Sequence, residues 1–375
     1  MKILFTGGGT GGHFNPIIGV AQSINKVVKE QHLLTPELYY MAPTPFDARV
    51  LFENNIKFQQ ISAGKIRRYF SILNFFDLFK TAWGVVRSTY MVYKLYPDVI
   101  FGKGGYASFP VLFAAKILRI PVIIHESDSK PGRVNAWAAK FARRIAISYP
   151  TAAQYFPADK VAFTGNPIRK EVSEPLTVGA HDYLKLKPEI PCVFIVGGSL
   201  GSKIINETII ESLPTLVEKF QIIHQTGKAN YDEVITTVNV VLGGNPNAAN
   251  YRPMQYLNAL EMRMAAGVAK LIISRAGSTI FEIAAWGKPS IIIPISEAVS
   301  HDQTSNAFAY ARSGGAEVIE ENNLASHLLI SEINRIVDNP EVWQKMSDGA
   351  KSFAKTDAAD KIAQEIVNLA LQHED

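Results

Sequence analysis

One pattern recurs along this chain and limits its fold more than any other feature. A short apolar run leads into a glycine-rich or polar loop, and a helical stretch follows, at residues 2–27, 97–118, 193–216 and 271–286. Apolar runs that alternate with helices indicate βαβ units, which form parallel sheets. The sequence therefore predicts an α/β protein with doubly wound sheets.

The pattern is clearest over residues 271–306. The polar turn between strand and helix offers backbone N–H groups at a helix start, which suits a phosphate group. Glu282 falls in the first helical turn, where a carboxylate can accept hydrogen bonds from a sugar diol, as acidic residues do in dinucleotide folds. An ordinary capped helix without a ligand fits the same residues. Both interpretations stay open from this stretch alone.

Length and composition define a globular protein of two domains. A chain of 375 residues is long for one hydrophobic core. Its single cysteine, Cys192, excludes an internal disulfide and fits a reducing compartment. The N-terminus runs directly into a glycine loop without a signal peptide, and no uncharged apolar run reaches the roughly 20 residues that span a bilayer. We expect a cytoplasmic protein.

The charge is distributed unevenly between the two halves. Residues 1–164 carry 20 Lys and Arg against 9 Asp and Glu, a net charge of +11, whereas the remainder carries 18 against 25, or −7. A basic first half suggests an anionic partner, such as a phospholipid surface, a pyrophosphate or a nucleic acid. Nucleic acid is the weakest of these, because neither zinc-ligand spacing nor an RNA-binding signature is present.

The first glycine loop, residues 6–13, precedes a predicted helix and suits a diphosphate. A dinucleotide fold would place an acidic residue about 20 positions later, at the end of the second strand. That strand ends in Ala42-Pro43 instead, which argues against NAD or FAD. His13 lies where the loop meets the helix. It is either a structural residue or a base and diphosphate contact.

Residues 64–96 differ in character from the rest, because aromatic residues such as Phe75, Phe76, Phe79 and Trp83 lie beside basic ones. This composition suits a helix that dips into an anionic membrane surface. A helix pair that covers the sheet explains the same residues equally well.

Further polar loops follow the strands of the first half at residues 102–108 and 125–128, and a glycine loop at 197–202 opens the second half. Loops at the carboxyl edge of a parallel sheet form a ligand crevice. We predict an N-terminal domain over residues 1–165, a C-terminal domain over 166–348 and a terminal helical segment over 349–375. Two such halves that face each other across a cleft fit a nucleotide-sugar transferase of the GT-B type.

Seven motifs carry a more specific resemblance. They are G-G-T-G-G-H at 8–13, G-G-Y at 104–106, H-E at 125–126, G-N-P-I-R at 165–169, G-G-S at 197–199, S-R-A-G at 274–277 and Gln303 with Asn306-Ala307. In this order they resemble the MurG family of bacterial peptidoglycan transferases, which belongs to glycosyltransferase family 28. The resemblance covers nearly the whole chain. It implies a GT-B enzyme that moves N-acetylglucosamine from UDP-N-acetylglucosamine to the 4-hydroxyl of undecaprenyl-diphospho-N-acetylmuramoyl-pentapeptide.

The resemblance also implies a set of site residues. For the donor these are Thr10, Gly11, Gly12, Asp128, Arg169, Ser199, Leu257, Ser278, Thr279, Glu282, Gln303 and Asn306. Ser199, Ser278 and Thr279 would hold its diphosphate. Glu282 would bind the ribose, and Gln303 with Asn306 the sugar. Arg169 would reach the nucleotide, and a backbone group near Leu257 would contact uracil. For the acceptor the set is Gly12, His13, Gly105 and Tyr106, and the loop at 10–13 would receive its diphosphate. The last helix would pack back on the first domain.

Three features depart from the family pattern. Asp128 replaces a usual asparagine, Lys103 replaces a usual apolar residue, and the loop after Gly277 is one residue shorter. The acceptor hydroxyl would attack in line with inversion, and His13 is the first candidate for the base and Asp128 the second. Because the donor half lacks an Asp-x-Asp motif, we expect no metal bound by the protein and allow only Mg²⁺ that accompanies the acceptor diphosphate.

The implied setting is the cytoplasmic face of the membrane, with the protein bound peripherally to an anionic surface. Two other functions remain open from the sequence. One is a related GT-B transferase that uses another lipid acceptor such as diacylglycerol. The other is a non-catalytic subunit that binds a nucleotide sugar.

Overall fold

The computed structural model describes residues 1–8, 10–64, 73–198, 201–296 and 303–374. The strands are β1 (Lys2–Thr6), β2 (Glu37–Ala42), β3 (Ile56–Gln60), β4 (Val99–Gly102), β5 (Val122–Glu126), β6 (Arg144–Ile147), β7 (Val161–Phe163), β8 (Cys192–Val196), β9 (Gln221–Gln225), β10 (Tyr251–Met254), β11 (Ala269–Ser274), β12 (Ser290–Ile292) and β13 (Ala316–Val318). The α-helices are α1 (Gly11–Glu30), α2 (Ala48–Glu53), α3 (Leu73–Leu95), α4 (Phe109–Leu118), α5 (Arg133–Ala138), α6 (Ala180–Leu184), α7 (Lys203–Leu216), α8 (Tyr231–Val241), α9 (Ala259–Val268), α10 (Thr279–Trp286), α11 (Gln303–Ala311), α12 (Ser326–Val337), α13 (Pro340–Phe353) and α14 (Ala358–Glu374).

The chain divides into two compact units. Unit 1 comprises Met1–Arg169 together with Lys355–Asp375, and unit 2 comprises Lys170–Ala354. These divisions fall four residues after the boundary predicted at 165 and six residues after the one predicted at 348. Each unit has one sheet, and every strand pairing described in either sheet is parallel. The predicted fold class, two doubly wound α/β domains, is confirmed.

The two sheets share one topology. The strand order is β3-β2-β1-β4-β5-β6-β7 in unit 1 and β10-β9-β8-β11-β12-β13 in unit 2. The order reverses between β1 and β4 in the first sheet and between β8 and β11 in the second. At such a switch point neighbouring loops diverge to opposite faces and leave a crevice at the carboxyl ends of the strands. The topology therefore puts each glycine loop beside a switch point.

The strands read as continuous apolar runs because both faces of each sheet are covered. Ile3, Leu4 and Phe5 in β1 are all fully buried, and so are Val193, Phe194 and Ile195 in β8. Burial of such side chains contributes about 1.5–3 kcal/mol each to folding. The core thereby fixes where each strand ends and where its loop begins.

Helix α14 belongs to unit 1 although it comes last in the chain. Ile362, Ile366 and Val367 are buried in the same core cluster as the apolar face of α1. Two ion pairs flank this packing, Lys26–Asp360 and Arg144–Glu365, each at 2.8 Å. Within the terminal helical segment predicted over 349–375, the structure ends α13 at Phe353 and begins α14 at Ala358.

The segment before α9 forms the edge of the second sheet. Strand β10 comprises Tyr251–Met254, and α9 starts at Ala259. Asn258 sets that start through a capping box, since its side chain accepts from the Glu261 N–H and Glu261 accepts from the Asn258 N–H. Across the described ranges, no helix combines the length and apolar character needed to cross a membrane.

Candidate active site

In unit 1 the loop after β1 holds His13 in one orientation. Thr10 is the N-cap residue of α1, and its Oγ1 lies 3.0 Å from His13 Nδ1. This contact leaves Nε2 as the ring nitrogen available to a ligand. The imidazole is half-buried, and burial followed by the nearby charge of Lys103 lowers the pKa of His13 to about 4. His13 is therefore neutral at physiological pH and can accept a proton.

The loop after β4 passes directly against this imidazole. Gly104 and Gly105 have φ values of 83° and 78°, a region that side chains rarely adopt. A β-carbon on Gly105 would lie 3.3 Å from His13 Nε2 and 3.2 Å from the carbonyl oxygen of Gly8. Glycine thus keeps the space beside Nε2 open. Tyr106 begins the short 3₁₀ turn that follows and is half-buried.

The loop after β5 is organised by Glu126, which is only 3% exposed. Its carboxylate accepts hydrogen bonds from the Asp128 N–H at 3.0 Å, the Gly132 N–H at 3.0 Å and Asn135 Nδ2 at 2.9 Å. Burial and the charge of Asp128 raise the pKa of Glu126 to about 7. Glu126 and Asn135 were not among the predicted site residues, although the H-E motif marked the position of Glu126.

His125 supports the segment that leads to Arg169. It is fully buried, and its Nε2 lies 3.0 Å from the Gly165 carbonyl oxygen and 3.2 Å from Ser148 Oγ. Burial lowers the pKa of His125 well below its usual value. Arg169 is half-buried at the end of this segment, and its Nε is buried without a hydrogen-bond partner in the described chain. Such a donor is available to an anionic ligand.

In unit 2 the loop after β8 is bounded by Gly198 and Gly201, with φ values of 92° and 75°. Ser199, predicted to hold the diphosphate, lies outside the described residues. Gln225 Nε2 donates to the Gly198 carbonyl at 2.9 Å, and its Oε1 accepts from the Leu257 N–H at 3.0 Å. The Leu257 N–H is thus already engaged, which leaves its carbonyl for the predicted backbone contact to uracil.

Helix α10 begins beside the same switch point. Ser278 is its N-cap residue, but no described side chain caps the helix. The hydroxyls of Ser278 and Thr279 lie at this helix start, whereas the N–H groups of Ile280 and Phe281 already donate to the carbonyls of Gly277 and Ser278 at 3.2 and 3.1 Å. Glu282 is half-buried in the first turn. This arrangement agrees with the local structure predicted for residues 271–286.

Helix α11 begins at Gln303, after the loop that follows β12. Gln303 Oε1 accepts from the Ile295 N–H at 3.2 Å, and Asn306 Nδ2 donates to the Ala276 carbonyl at 3.4 Å. Asn306 is only 1% exposed. Its amide therefore supports the loop before α10, whereas Gln303 is half-buried and remains open on one side.

Arg275 connects three of these loops, a function that its sequence position did not indicate. It donates to the Ile293 carbonyl at 3.1 Å, to Ser202 Oγ at 2.6 Å and to Glu321 Oε1 at 2.5 Å. The other Glu321 oxygen accepts from the Ser296 N–H at 2.9 Å. Burial would raise the pKa of Glu321, but these hydrogen bonds and the Arg275 charge lower it overall. A partly buried arginine that donates to three separate segments fixes the geometry of these loops.

Each unit thus gathers its own part of the predicted residues. Unit 1 brings Thr10, His13, Gly105 and Tyr106 to one switch point, and Asp128 follows the next strand of the sheet. In unit 2 the residues from Leu257 to Asn306 lie at the loops after β10, β11 and β12. No cluster of three metal-ligating side chains occurs among the residues that the structure describes.

Two doubly wound sheets with ligand loops at both switch points define the GT-B class of nucleotide-sugar glycosyltransferases. The chain belongs to glycosyltransferase family 28: the N-terminal domain model of that family matches residues 3–147, and the C-terminal domain model matches residues 192–362.

Relatives in this family share about a third of their residues with the chain. A Clostridium botulinum protein named UDP-N-acetylglucosamine–N-acetylmuramyl-(pentapeptide) pyrophosphoryl-undecaprenol N-acetylglucosamine transferase is 35% identical over 363 residues, which covers 94% of this chain and 98% of the relative. A Treponema denticola protein of the same name is 37% identical over 336 residues, with 84% and 83% covered.

Solved structures agree with the fold. The crystal structure of Acinetobacter baumannii MurG superposes with a TM-score of 0.71 at 26% identity and covers 98% of this chain and 99% of that one. A UDP-N-acetylglucosamine 2-epimerase from Neisseria meningitidis has a TM-score of 0.67 at 16% identity, covering 98% and 100%, and shares the fold alone.

Proposed function

We propose that this protein transfers N-acetylglucosamine from UDP-N-acetylglucosamine to the 4-hydroxyl of undecaprenyl-diphospho-N-acetylmuramoyl-pentapeptide, in peptidoglycan synthesis. The names of its family relatives support this substrate pair. The observation that carries the proposal is His13, a neutral imidazole whose Nδ1 contacts Thr10 and whose Nε2 faces the space kept open by Gly105. A base in that position suits deprotonation of a sugar hydroxyl.

In the proposed reaction the acceptor oxygen attacks the anomeric carbon of the donor sugar from the face opposite UDP. The new glycosidic C–O bond forms as the bond to the β-phosphate breaks, so the configuration inverts. UDP departs with the electron pair, and His13 Nε2 takes the hydroxyl proton. Asp128, after the neighbouring strand β5, is the second candidate for this base.

Unit 2 supplies the donor site in this proposal. The start of α10 with Ser278 and Thr279, together with Ser199, binds the diphosphate, and Glu282 accepts from the ribose hydroxyls. Gln303 contacts the sugar, and Asn306 keeps the loop before α10 in place. Arg169 offsets the charge that develops on UDP, and donors of this type favour the departing anion because they are already oriented.

The loops of unit 1 bind the acceptor in this proposal. The loop at 10–13 receives the acceptor diphosphate, next to Gly105 and Tyr106. We propose that the protein itself binds no metal, and that Mg²⁺ enters only with the acceptor diphosphate. A chelator tests this proposal. The affinity for UDP-N-acetylglucosamine should stay unchanged when chelator is added, whereas the rate of sugar transfer to the acceptor should fall.

We also propose that unit 1 binds the cytoplasmic face of an anionic membrane through α3. Five of its side chains, spaced at alternating intervals of four and three, are 58–66% exposed: Phe79, Trp83, Val86, Tyr90 and Tyr93. Lys80, Arg87 and Lys94 are exposed on the same helix. The opposite face packs on the sheet through Val92 and Leu95. The side chains of Phe75 and Phe76 lie outside the described part.

A vesicle-binding measurement tests the membrane proposal. Trp83→Ser with Tyr90→Ser should weaken binding to phosphatidylglycerol vesicles by about tenfold or more, because both lose apolar contact with the acyl region. Phe52→Ser is the matched control, since Phe52 is 83% exposed on α2. Equal binding by the wild type and the double variant would contradict the proposal.

A transfer assay tests the reaction. Labelled UDP-N-acetylglucosamine is incubated with a short-chain analogue of the lipid-linked muramoyl-pentapeptide or with diacylglycerol. We expect the label in the first acceptor only. Label in diacylglycerol would favour a different lipid acceptor, and the absence of UDP release with either acceptor would favour a non-catalytic subunit.

A further inference from the structure

Strand β9 lies between β8 and β10 in the second sheet, so its carboxyl end separates two parts of the proposed donor site. On one side is the glycine loop after β8, which is assigned to the diphosphate. On the other side is the segment 255–258 after β10, where Leu257 is predicted to contact uracil. Gln225 is the last residue of β9 and is only 2% exposed. A side chain at this point can reach both parts.

The amide of Gln225 bonds to both of them. Its Nε2 donates to the Gly198 carbonyl at 2.9 Å, and its Oε1 accepts from the Leu257 N–H at 3.0 Å. The Gly198 carbonyl also accepts from the Gly201 N–H at 3.1 Å, which closes the glycine loop. Leu257 is only 2% exposed, so the loss of this amide would leave its N–H without a partner and away from water. One buried side chain thus joins the two parts of the site.

The next residue, Thr226, fixes the end of β9 from which Gln225 extends. Its N–H donates to the Met254 carbonyl at 3.0 Å, and its own carbonyl accepts from Asn206 Nδ2 at 3.0 Å. Gly201 packs directly on this carbonyl, since a β-carbon there would lie 2.0 Å from the Thr226 oxygen. The backbone below Gln225 is therefore held on both sides, and the amide has a rigid base.

We propose, on the basis of the proposed function, that Gln225 is a positioning residue for the nucleotide of the donor. Its amide sets the distance between the loop that holds the diphosphate and the segment that contacts uracil. UDP spans both parts, so its affinity depends on their spacing as well as on each contact. Uridine lacks the diphosphate and does not use the glycine loop. Loss of the Gln225 amide should therefore weaken the binding of UDP more than the binding of uridine.

The test is Gln225→Met, which keeps the length of the side chain and removes both hydrogen bonds. Calorimetry should show UDP binding weakened by about 10–100-fold and uridine binding by a few-fold or less. In transfer kinetics the KM for UDP-N-acetylglucosamine should rise by a factor similar to that for UDP. The kcat at saturating donor and the acceptor KM should stay near their wild-type values, because unit 1 is unchanged.

Gln221→Met is the matched control. Gln221 begins β9 and is 3% exposed, and its side chain makes three hydrogen bonds to backbone groups of Lys187 and Ile190, at 2.7, 2.8 and 3.0 Å. The same substitution therefore removes buried hydrogen bonds from the same strand, at the end away from the donor site. It should lower the unfolding temperature and leave UDP affinity at the wild-type level.

Gln225→Glu examines the same contacts if Gln225→Met does not fold. A carboxylate of this length can accept from the Leu257 N–H, but it cannot donate to the Gly198 carbonyl. Uridine, which is uncharged, should bind this variant within a few-fold of the wild type, whereas UDP should bind more weakly. Wild-type affinity for UDP in Gln225→Glu would contradict the proposal.

Three results would overturn the assignment of Gln225. They are an unchanged UDP affinity in Gln225→Met, equal losses for UDP and uridine, and an equal loss of UDP affinity in Gln221→Met. A wild-type protein that binds UDP but transfers no sugar to the lipid-linked acceptor would overturn the proposed reaction, while the binding data would still decide the role of Gln225. A wild-type protein that binds no UDP would overturn both.

Discussion

The two sheets share topology and loop placement, yet the carboxyl edges of the two differ in charge. In unit 1 the edge carries His13, Lys103, Glu126 and Asp128, of which Lys103 and Glu126 are almost fully buried. In unit 2 the predicted ligand residues are hydroxyls, amides and backbone groups with a single carboxylate, Glu282, and the Arg275–Glu321 pair holds the loops. The same fold thus places several titratable side chains at the carboxyl edge of the sheet in unit 1, and mostly neutral side chains at that edge in unit 2.

This difference matches a division of chemical tasks. A proton has to leave the acceptor hydroxyl, which requires a base that is unprotonated at physiological pH, as the lowered pKa of His13 makes that imidazole. The donor diphosphate instead needs hydrogen-bond donors and a helix start, which act without any change in protonation. Substitutions in unit 1 should therefore affect the chemical step, and substitutions in unit 2 should affect donor binding.

The largest effect should come from His13→Ala. Loss of a general base lowers turnover by about 10²–10⁴-fold, while the KM for the donor should change little because unit 2 is intact. Steady-state transfer kinetics with both substrates varied would measure this. His327→Ala, at an exposed histidine of unit 2, is the control. Wild-type turnover in His13→Ala would remove His13 from the mechanism.

Glu282→Gln should have a smaller and different effect. Hydrogen bonds to a charged group contribute about 1.5–3 kcal/mol, so weaker ribose binding should raise the donor KM by about 10–100-fold. Acceptor KM should stay constant. Titration of UDP by calorimetry measures the same loss without turnover, and Glu341→Gln on α13 is a suitable control. A change in turnover alone, with unchanged UDP affinity, would break the proposed division between the units.

Much of the fold could be predicted because its signal is local. An apolar run, a glycine loop and a helix start lie within about 15 residues of one another, and burial on both faces of a parallel sheet makes the strand pattern continuous. The local structure around Glu282 follows from the same signal. The edge strand β10 carries a weaker signal, because it contains Pro253 and three of its four residues are only half-buried.

The supporting side chains could not be predicted in the same way. Arg275 and Glu321 are 46 residues apart, and Lys103 and Ser127 are 24 apart. Such pairs form only when the sheet topology makes two strand ends neighbours. They also depend on the direction in which helix α10 or loop 126–128 leaves the sheet. The sequence singled out Lys103 by its residue type, but only the structure shows that it is 1% exposed at the end of β4.

The smallest expected effect concerns acid stability, and its sign differs between two buried groups, His224 in unit 2 and Glu126 in unit 1. His224 in unit 2 is fully buried between Tyr251 and Asn206, and burial lowers its pKa to about 3. Since the unfolded chain binds this proton near pH 6.5, acidification from pH 6.5 toward 3 destabilises the fold. Glu126 in unit 1 has a raised pKa of about 7, so the folded state binds its proton first. Acidification from pH 7 toward 4.5 therefore stabilises that unit through Glu126.

Urea unfolding between pH 6.5 and 4.5 separates the two contributions. His224→Gln should reduce the loss of unfolding free energy on acidification by about 1.4 kcal/mol per pH unit, because one proton no longer binds preferentially to the unfolded chain. Glu126→Gln should increase that loss over the same range, since it removes a proton that the folded state favours. Trp286 and Trp343 report on unit 2, and Trp83 and Trp137 on unit 1. If both substitutions shifted the pH dependence of the unfolding free energy in the same direction, the opposite signs predicted for His224 and Glu126 would be wrong.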